Sequence, residues 1–216
     1  MKKNNFVYFC LLHVVSMAIL TFNSCSKDRD IEKVPLSQDK GVIINGVKWA
    51  TRNIDAPGTF AANPEDAGMF YQWNRKKAWA ATGSVSGWGS STPSGTTWEK
   101  ANDPSPSGWR IPTLSEFETL FDYGKVTNEW ITVNGVYGKK FTDVVSGDSI
   151  FLPASGCRFF SDGTLAGTGS NGFFWSNTLH ESNESAVYYL NLIGSDAATT
   201  FASGRRDGYS IRCVAE

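Results

Sequence analysis

The order of apolar and polar positions indicates short strands joined by tight turns. Apolar runs flank Asn45-Gly46, and a second set of apolar runs flanks Asn134-Gly135. Because Asn-Gly accepts positive φ at both central turn positions, each pattern predicts a two-residue β-hairpin. Further apolar or alternating runs predict strands in the last third of the chain, at 150–156, 172–176, 186–192 and 208–214.

One helix is predicted at about 113–123. Thr113 and Glu116 have the spacing of a capping box, and apolar residues then recur on one helical face. A second segment, 64–80, fits a weak helix, although its centre at 69–73 fits a strand equally well. The predicted elements together favour an α+β domain that is rich in strands and loops.

The N-terminus has the pattern of a bacterial lipoprotein signal peptide at residues 1–24. Lys2 and Lys3 precede an apolar stretch from Phe6 to Phe22, which ends just before Ser24-Cys25. A small residue directly before cysteine is typical of a cleavage site at which that cysteine, here Cys25, is lipidated. The alternative is one transmembrane anchor, for which 17 apolar residues is the lower limit.

Residues 25–40 are predicted to form a flexible tether, because a charged run followed by proline cannot build a core. Asp28 and Asp30 loosely resemble the acidic signal that sends Bacteroidetes lipoproteins to the outer face. We therefore expect an outer-membrane lipoprotein, exposed at the cell surface, that binds the membrane through the lipid on Cys25.

Composition narrows the function further. Without residues 1–24 the chain carries 18 Lys+Arg against 21 Asp+Glu, a net charge of −3 that does not favour nucleic acid. His180 is then the only histidine, so a metal site built from several histidines is excluded, and we expect no cofactor. The 192 remaining residues suffice for one domain with a full core.

Two cysteines remain once Cys25 is lipidated. In an oxidising compartment Cys157 and Cys213 form a candidate disulfide, with two free buried thiols as the alternative. The chain also has eight tryptophans. Trp88 and Trp98 lie in the Gly/Ser-rich segment 81–108, where they either bind a ligand or fix their own loop. We expect the others in strand-like blocks, Trp49, Trp109 and Trp175, to lie in the core.

A family resemblance emerges from these blocks. Residues 103–117 read DPSPSGWRIPTLSEF and resemble the signature DPCPxGWRxPTxxEF of the Fibrobacter succinogenes major paralogous domain. The opening block at 46–53 and the later blocks at 152–156, 172–176 and 208–214 also resemble that family, in the family's order. The resemblance covers about residues 41–216.

The resemblance implies a C-type-lectin-like fold, which formylglycine-generating enzymes share. In that fold the WRxPT segment leads into a core helix, and the RCV segment lies on the final strand, close to the start of the chain. The family usually has cysteine at the position of Ser105, and the resemblance implies that this residue pairs with the cysteine at Cys213. Members are mostly secreted proteins or lipoproteins of Bacteroidetes and Fibrobacteres, with no activity established for the family.

The sequence lacks the residues that two kinds of chemistry in this fold require. Formylglycine-generating enzymes need closely spaced reactive cysteines, whereas Cys157 and Cys213 are 56 residues apart. Calcium-dependent lectins need several carboxylates, but residues 175–177 lack the acid of the lectin WND motif. Asp162, Asp196 and Asp207 stand singly in predicted turns, where aspartate usually forms the turn and binds no metal.

The favoured hypothesis is a non-catalytic recognition or adhesion module that binds a glycan or a protein through exposed tryptophans. The alternatives are an enzyme or modification factor of the formylglycine-generating type, and a structural subunit of a surface assembly such as a fimbrial tip. Ser149 follows Asp148 in a pattern that resembles a Bacteroidetes O-glycosylation site.

Overall fold

The structure is a computed structural model that describes residues 35–194 and 199–216. The chain divides into two units, Met1–Lys33 and Val34–Glu216. The signal peptide predicted at 1–24, the lipidation site at Cys25 and most of the predicted tether lie outside the described residues. The fold described below is that of the second unit.

This unit is built mainly from β-strands, as the sequence predicts. In chain order the strands are β1 (Val42–Ile44), β2 (Val47–Trp49), β3 (Phe70–Tyr71), β4 (Ala78–Trp79), β5 (Trp109–Arg110), β6 (Val126–Val133), β7 (Val136–Asp143), β8 (Ser149–Pro153), β9 (Cys157–Arg158), β10 (Leu165–Ala166), β11 (Asn171–His180), β12 (Asn183–Ile193), β13 (Thr199–Gly204) and β14 (Val214–Ala215). Between β5 and β6 lie a short helix, α1 (Leu114–Glu118), and a 3-10 turn at Thr119–Phe121.

Both predicted hairpins are confirmed. β1 pairs with β2 and β6 pairs with β7, each as antiparallel neighbours around its Asn-Gly turn. Asn45 and Gly46 have φ values of 46° and 81°, while Asn134 and Gly135 have φ values of 47° and 85°. These are the left-handed conformations that a two-residue hairpin turn of this type requires.

The predicted helix exists but is shorter than 113–123. Its capping box is confirmed, because the Thr113 side chain accepts from the Glu116 backbone N–H and the Glu116 carboxylate accepts from the Thr113 backbone N–H. The helix ends early because a turn at Asp122 leads the chain into β6. The Asp122 carbonyl accepts from the backbone N–H groups of both Lys125 and Val126, each at 2.8 Å.

The weak helix suggested for 64–80 is wrong, and the strand alternative holds. β3 and β4 form a small antiparallel pair there. Gly68 and Asn74 have φ values of 66° and 52°, which a right-handed helix cannot accommodate. Strands also form at three of the four segments predicted in the last third of the chain, with β12 between β11 and β13 in one sheet. The strand predicted at 208–214 is limited to Val214 in β14, and Gly208, Tyr209 and Ser210 form only isolated bridges.

The start of the domain and the end of the chain share one sheet, in the order β1-β2-β14-β5. Val214 pairs with Trp49 on one side and with Arg110 on the other. The RCV segment therefore lies beside the first hairpin, and the WRIPT segment leads into α1, which are the two positions that the family resemblance implies.

Two hydrophobic clusters form the core, and β11 contributes to both. Phe174 packs in a cluster with Trp49 and Phe117, whereas the next residue, Trp175, packs in a second cluster with Trp73. This division follows from the alternation of side chains along a strand. As expected, Trp49, Trp109 and Trp175 are buried.

The end of the predicted tether belongs to the folded unit, which corrects the boundary at residue 40. The Asp39 carboxylate is buried and accepts from the Thr51 hydroxyl at 2.8 Å and from Arg52 Nε at 3.1 Å. The Leu36 carbonyl accepts from the Phe60 backbone N–H at 2.6 Å. The charged residues of this segment predict a spacer if they stay in water. Asp39 does not, because it forms a buried ion pair with Arg52.

Candidate functional site

Three distant segments meet around an open cavity of about 430 Å³, which we call the aromatic cavity. Single bridges join β9 to the segment before β14, through Arg158 and Gly208, and join β11 to the same segment, through Phe174 and Ser210. These bridges bring together the residues that line the cavity and matter most here: Cys157, Phe159, Phe160, Phe173, Asp207 and Tyr209.

Aromatic rings dominate the walls. Phe159 and Phe160 are 47% and 46% exposed, which is unusual for adjacent large apolar side chains. Phe173 is stacked on Tyr209, with ring centroids 5.1 Å apart. Tyr209 is in turn stacked on Trp175 at 4.1 Å, so the cavity wall is continuous with the aromatic core. Rings held in this way offer a rigid apolar surface at low entropic cost.

Asp207 is the one acidic residue in this lining. Its Oδ1 accepts from the Phe160 backbone N–H at 3.1 Å. Burial raises the pKa of the Asp207 carboxyl, and hydrogen bonds from Phe160 and Tyr209 with the charge of Arg206 offset only part of this rise. Within the described part of the chain, Asp207 forms no ion pair. The cavity therefore combines apolar faces with one carboxylate that forms no ion pair among the described residues.

Arg158 holds the rim of the cavity in place. Its guanidinium is fully buried and donates to the carbonyl oxygens of Gly163, Thr82 and Gly83, while its Nε donates to that of Ala80 at 2.7 Å. Four backbone acceptors from two loops are thus bound to one side chain. Because each buried carbonyl needs a donor, these hydrogen bonds fix the path of both loops.

Trp88, a predicted ligand-binding residue, lies beside the aromatic cavity but is not among the residues that line it. It is half-buried against Trp79, with centroids 4.8 Å apart, and its Nε1 donates to the Phe160 carbonyl at 3.2 Å. Gly208 lies so close to the Trp88 ring that an added Cβ would approach within 2.7 Å. Trp88 therefore positions the backbone of Phe160.

The prediction that Trp98 binds ligand is wrong. Its side chain is 6% exposed, packs edge-on against Trp73 and donates from Nε1 to the Asn102 carbonyl at 2.9 Å. The alternative from sequence, a tryptophan that fixes its own loop, describes both Trp88 and Trp98. Sequence analysis missed Phe159 and Phe160, although two adjacent aromatic residues before a Ser-Asp-Gly turn were a usable signal.

The predicted Cys157–Cys213 disulfide is also wrong, because both cysteines are free and buried. Their side chains face different partners. Cys157 lines the aromatic cavity, whereas Cys213 Sγ lies 3.2 Å from Ser105 Oγ. Burial raises the pKa of Cys157 to about 12, with Asp207 adding to the rise, and burial likewise raises the pKa of Cys213. Both thiols are therefore protonated and poorly nucleophilic at neutral pH.

The remaining candidate residues lie apart from the cavity lining. Ser149 is half-buried at the start of β8, opposite Thr142. His180 is half-buried at the end of β11 and stacks on Tyr188. Among the residues that the structure describes, no three His, Cys, Asp or Glu side chains are grouped in a way that would hold a metal ion.

Comparison with known proteins adds no identification. The chain matches no family model, no curated protein and no solved structure. In the described ranges, no helix has the length and apolar character needed to cross a bilayer.

Proposed function

We propose that this chain is a non-catalytic recognition module of the cell envelope, held by lipid on Cys25, that binds glycan in the aromatic cavity. The observation that carries the proposal is the pairing of exposed rings with a carboxylate in one concavity. Sugar rings present apolar faces and hydroxyl edges, so aromatic faces and a charged acceptor complement them. The cavity volume of about 430 Å³ is within the range of small-molecule sites.

The proposed fold is that of the Fibrobacter succinogenes major paralogous domain, with its C-type-lectin-like architecture. Three features support it besides the sequence blocks. A capped helix follows the WRIPT segment, the final strand pairs beside the first hairpin, and Ser105 Oγ lies next to Cys213 Sγ. The last contact is notable because the family usually has cysteine at the position of Ser105.

The thiols weigh against the alternative of a formylglycine-generating type of enzyme. A reactive cysteine requires a lowered pKa, whereas burial raises the pKa of both Cys157 and Cys213. His180, the base that the sequence offers, instead accepts at Nδ1 from the nearby Ser182 backbone N–H at 3.3 Å. The proposal is therefore binding without catalysis.

A glycan array with the detergent-solubilised full chain tests the binding function. Phe160→Ala, which removes a half-exposed ring from the wall, is expected to weaken binding by about tenfold or more. Tyr123→Ala is a matched control, because Tyr123 is 69% exposed and does not line the cavity. Unchanged glycan binding by Phe160→Ala, or binding of proteins and no glycans, would overturn the proposal.

The lipid anchor is tested separately. Metabolic labelling with a fatty acid should mark the wild-type chain and should not mark Cys25→Ala. Cys10→Ala is the control, since Cys10 lies within the predicted signal peptide and is removed with it. Equal labelling of Cys25→Ala and wild type would exclude lipidation at Cys25.

A further inference from the structure

We infer that the glycan bound in the aromatic cavity carries a positive charge, and that the cavity prefers a sugar bearing a free ammonium group over the neutral sugar of the same shape. This inference rests on the glycan-binding function proposed above and names the ligand chemistry of the same site. It follows from the charge of the lining, the geometry of its rings and the absence of an ion pair to Asp207 among the described residues.

The Asp207 carboxylate forms no ion pair among the described residues. One of its oxygens accepts a hydrogen bond from the Phe160 backbone N–H. A carboxylate that is partly withdrawn from water loses hydration, which the hydrogen bonds from Phe160 and Tyr209 and the charge of Arg206 replace only in part. A neutral hydroxyl would restore one hydrogen bond, whereas an ammonium group restores a hydrogen bond and neutralises the charge.

The aromatic rings of the cavity wall also favour a cation. Aromatic faces carry partial negative charge and attract cations, and they do so more strongly where water is displaced. Phe160 already accepts a cation, because the Arg206 guanidinium lies 5.0 Å from its ring centroid. Phe159 and Phe173 line the same cavity, and neither ring has a cation over it within the described residues.

Arg206 does not take the place of the ligand. Its Nη1 donates to the carbonyl of Ser90, in the segment 81–108, at 3.3 Å. Arg206 is not among the residues that line the cavity. The charge of Arg206 offsets only part of the rise that burial causes in the pKa of Asp207. The negative potential of the carboxylate therefore persists at the cavity, where a bound cation would meet both Asp207 and the aromatic walls.

Three β-1,4-linked tetrasaccharides that differ at one substituent provide the test. Chitosan tetramer has an ammonium group at each C2, chitotetraose has an acetamide, and cellotetraose has a hydroxyl. We expect the full chain, titrated in detergent at mildly acidic pH, to bind the chitosan tetramer at least about tenfold more tightly than cellotetraose. Added salt should weaken binding of the chitosan tetramer and leave binding of cellotetraose nearly unchanged.

Asp207→Asn provides the matched variant, because asparagine keeps the shape and the acceptor for the Phe160 backbone N–H. It should remove the preference among the three sugars, so that the variant binds the chitosan tetramer no more tightly than it binds cellotetraose. Equal binding of all three tetrasaccharides by the wild type would overturn the charge inference and leave the glycan site intact. An undiminished preference in Asp207→Asn would overturn it as well. No binding of any sugar, here or on the glycan array, would instead contradict the proposed function.

Discussion

Ser105 Oγ lies 3.2 Å from Cys213 Sγ, in contact across 108 positions of sequence. Cys213 is fully buried in the aromatic-rich core cluster, and Ser105 is half-buried in the segment before β5. A serine hydroxyl and a thiol at this distance occupy nearly the space that a disulfide needs. The contact therefore makes positions 105 and 213 a candidate pair for an introduced disulfide.

Ser105→Cys is expected to form a disulfide with Cys213 in an oxidising buffer. Because the closed loop is long, the link should raise the free energy of unfolding by about 2–4 kcal/mol. Intact mass under non-reducing conditions should show the loss of two hydrogens, and denaturant unfolding measures the gain. Ser107→Cys, exposed in the same segment, should remain a free thiol. Full alkylation of both cysteines in denatured Ser105→Cys would contradict the prediction.

Arg212 joins the start of the domain to β8. Its buried guanidinium donates to Asn53 Oδ1 at 2.9 Å and to the carbonyl oxygens of Ala50 and Phe151 at 3.2 and 3.0 Å. Arg212→Met leaves these buried acceptors without donors, so we expect a loss of about 3 kcal/mol or more in the free energy of unfolding.

Chemical denaturation measures the effect of Arg212→Met. Arg75→Met is the control, because Arg75 donates to Ser91 in an exposed contact, and its loss should cost about 1 kcal/mol or less. Equal destabilisation by the two variants would show that the buried hydrogen bonds of Arg212 contribute little.

Glu116 should make stability depend on acid pH. Burial alone would raise the pKa of Glu116, but hydrogen bonds from Arg110 and Thr113 outweigh burial and lower it below 4.5. The stabilisation is therefore complete above pH 4.5 and is lost as pH falls through the lowered pKa. Glu116→Gln should reduce stability by about 1–2 kcal/mol at neutral pH and by less in acid.

Thermal unfolding across pH, for wild type and Glu116→Gln, measures this convergence. Glu118→Gln serves as the control, because Glu118 is exposed at the end of α1 and should leave the curve nearly parallel to that of wild type. A constant difference between wild type and Glu116→Gln at all pH values would refute the linkage.

Asp207 should make stability depend on pH in the opposite direction to Glu116. Because burial raises the pKa of its carboxyl above 3.8, the folded state holds the proton more tightly, and stability falls as pH rises through the raised value. Asp207→Asn should therefore raise the melting temperature at neutral pH while weakening ligand binding. Differential scanning calorimetry without sugar tests this, and a lower melting temperature for Asp207→Asn would contradict the pKa argument. Such an exchange of stability for function is common at binding sites.

Local features of the fold were readable from sequence, whereas the cavity was not. The Asn45-Gly46 hairpin and the Thr113 capping box depend on a few neighbouring residues, and both are confirmed. The aromatic cavity depends instead on the bridges of Arg158 with Gly208 and of Phe174 with Ser210, which no local pattern specifies. For the same reason, the burial of Trp98 against Trp73, a residue 25 positions away, was not apparent in a polar loop.

The way in which Arg158 binds its loops has a consequence for variation. All four of its acceptors are main-chain carbonyl oxygens, and a carbonyl is present whichever side chain the residue carries. Arg205 likewise binds the carbonyls of Pro93, Gly95 and Glu184. The loops that these two arginines bind can therefore exchange their exposed residues while keeping their paths, so one scaffold can present many surfaces.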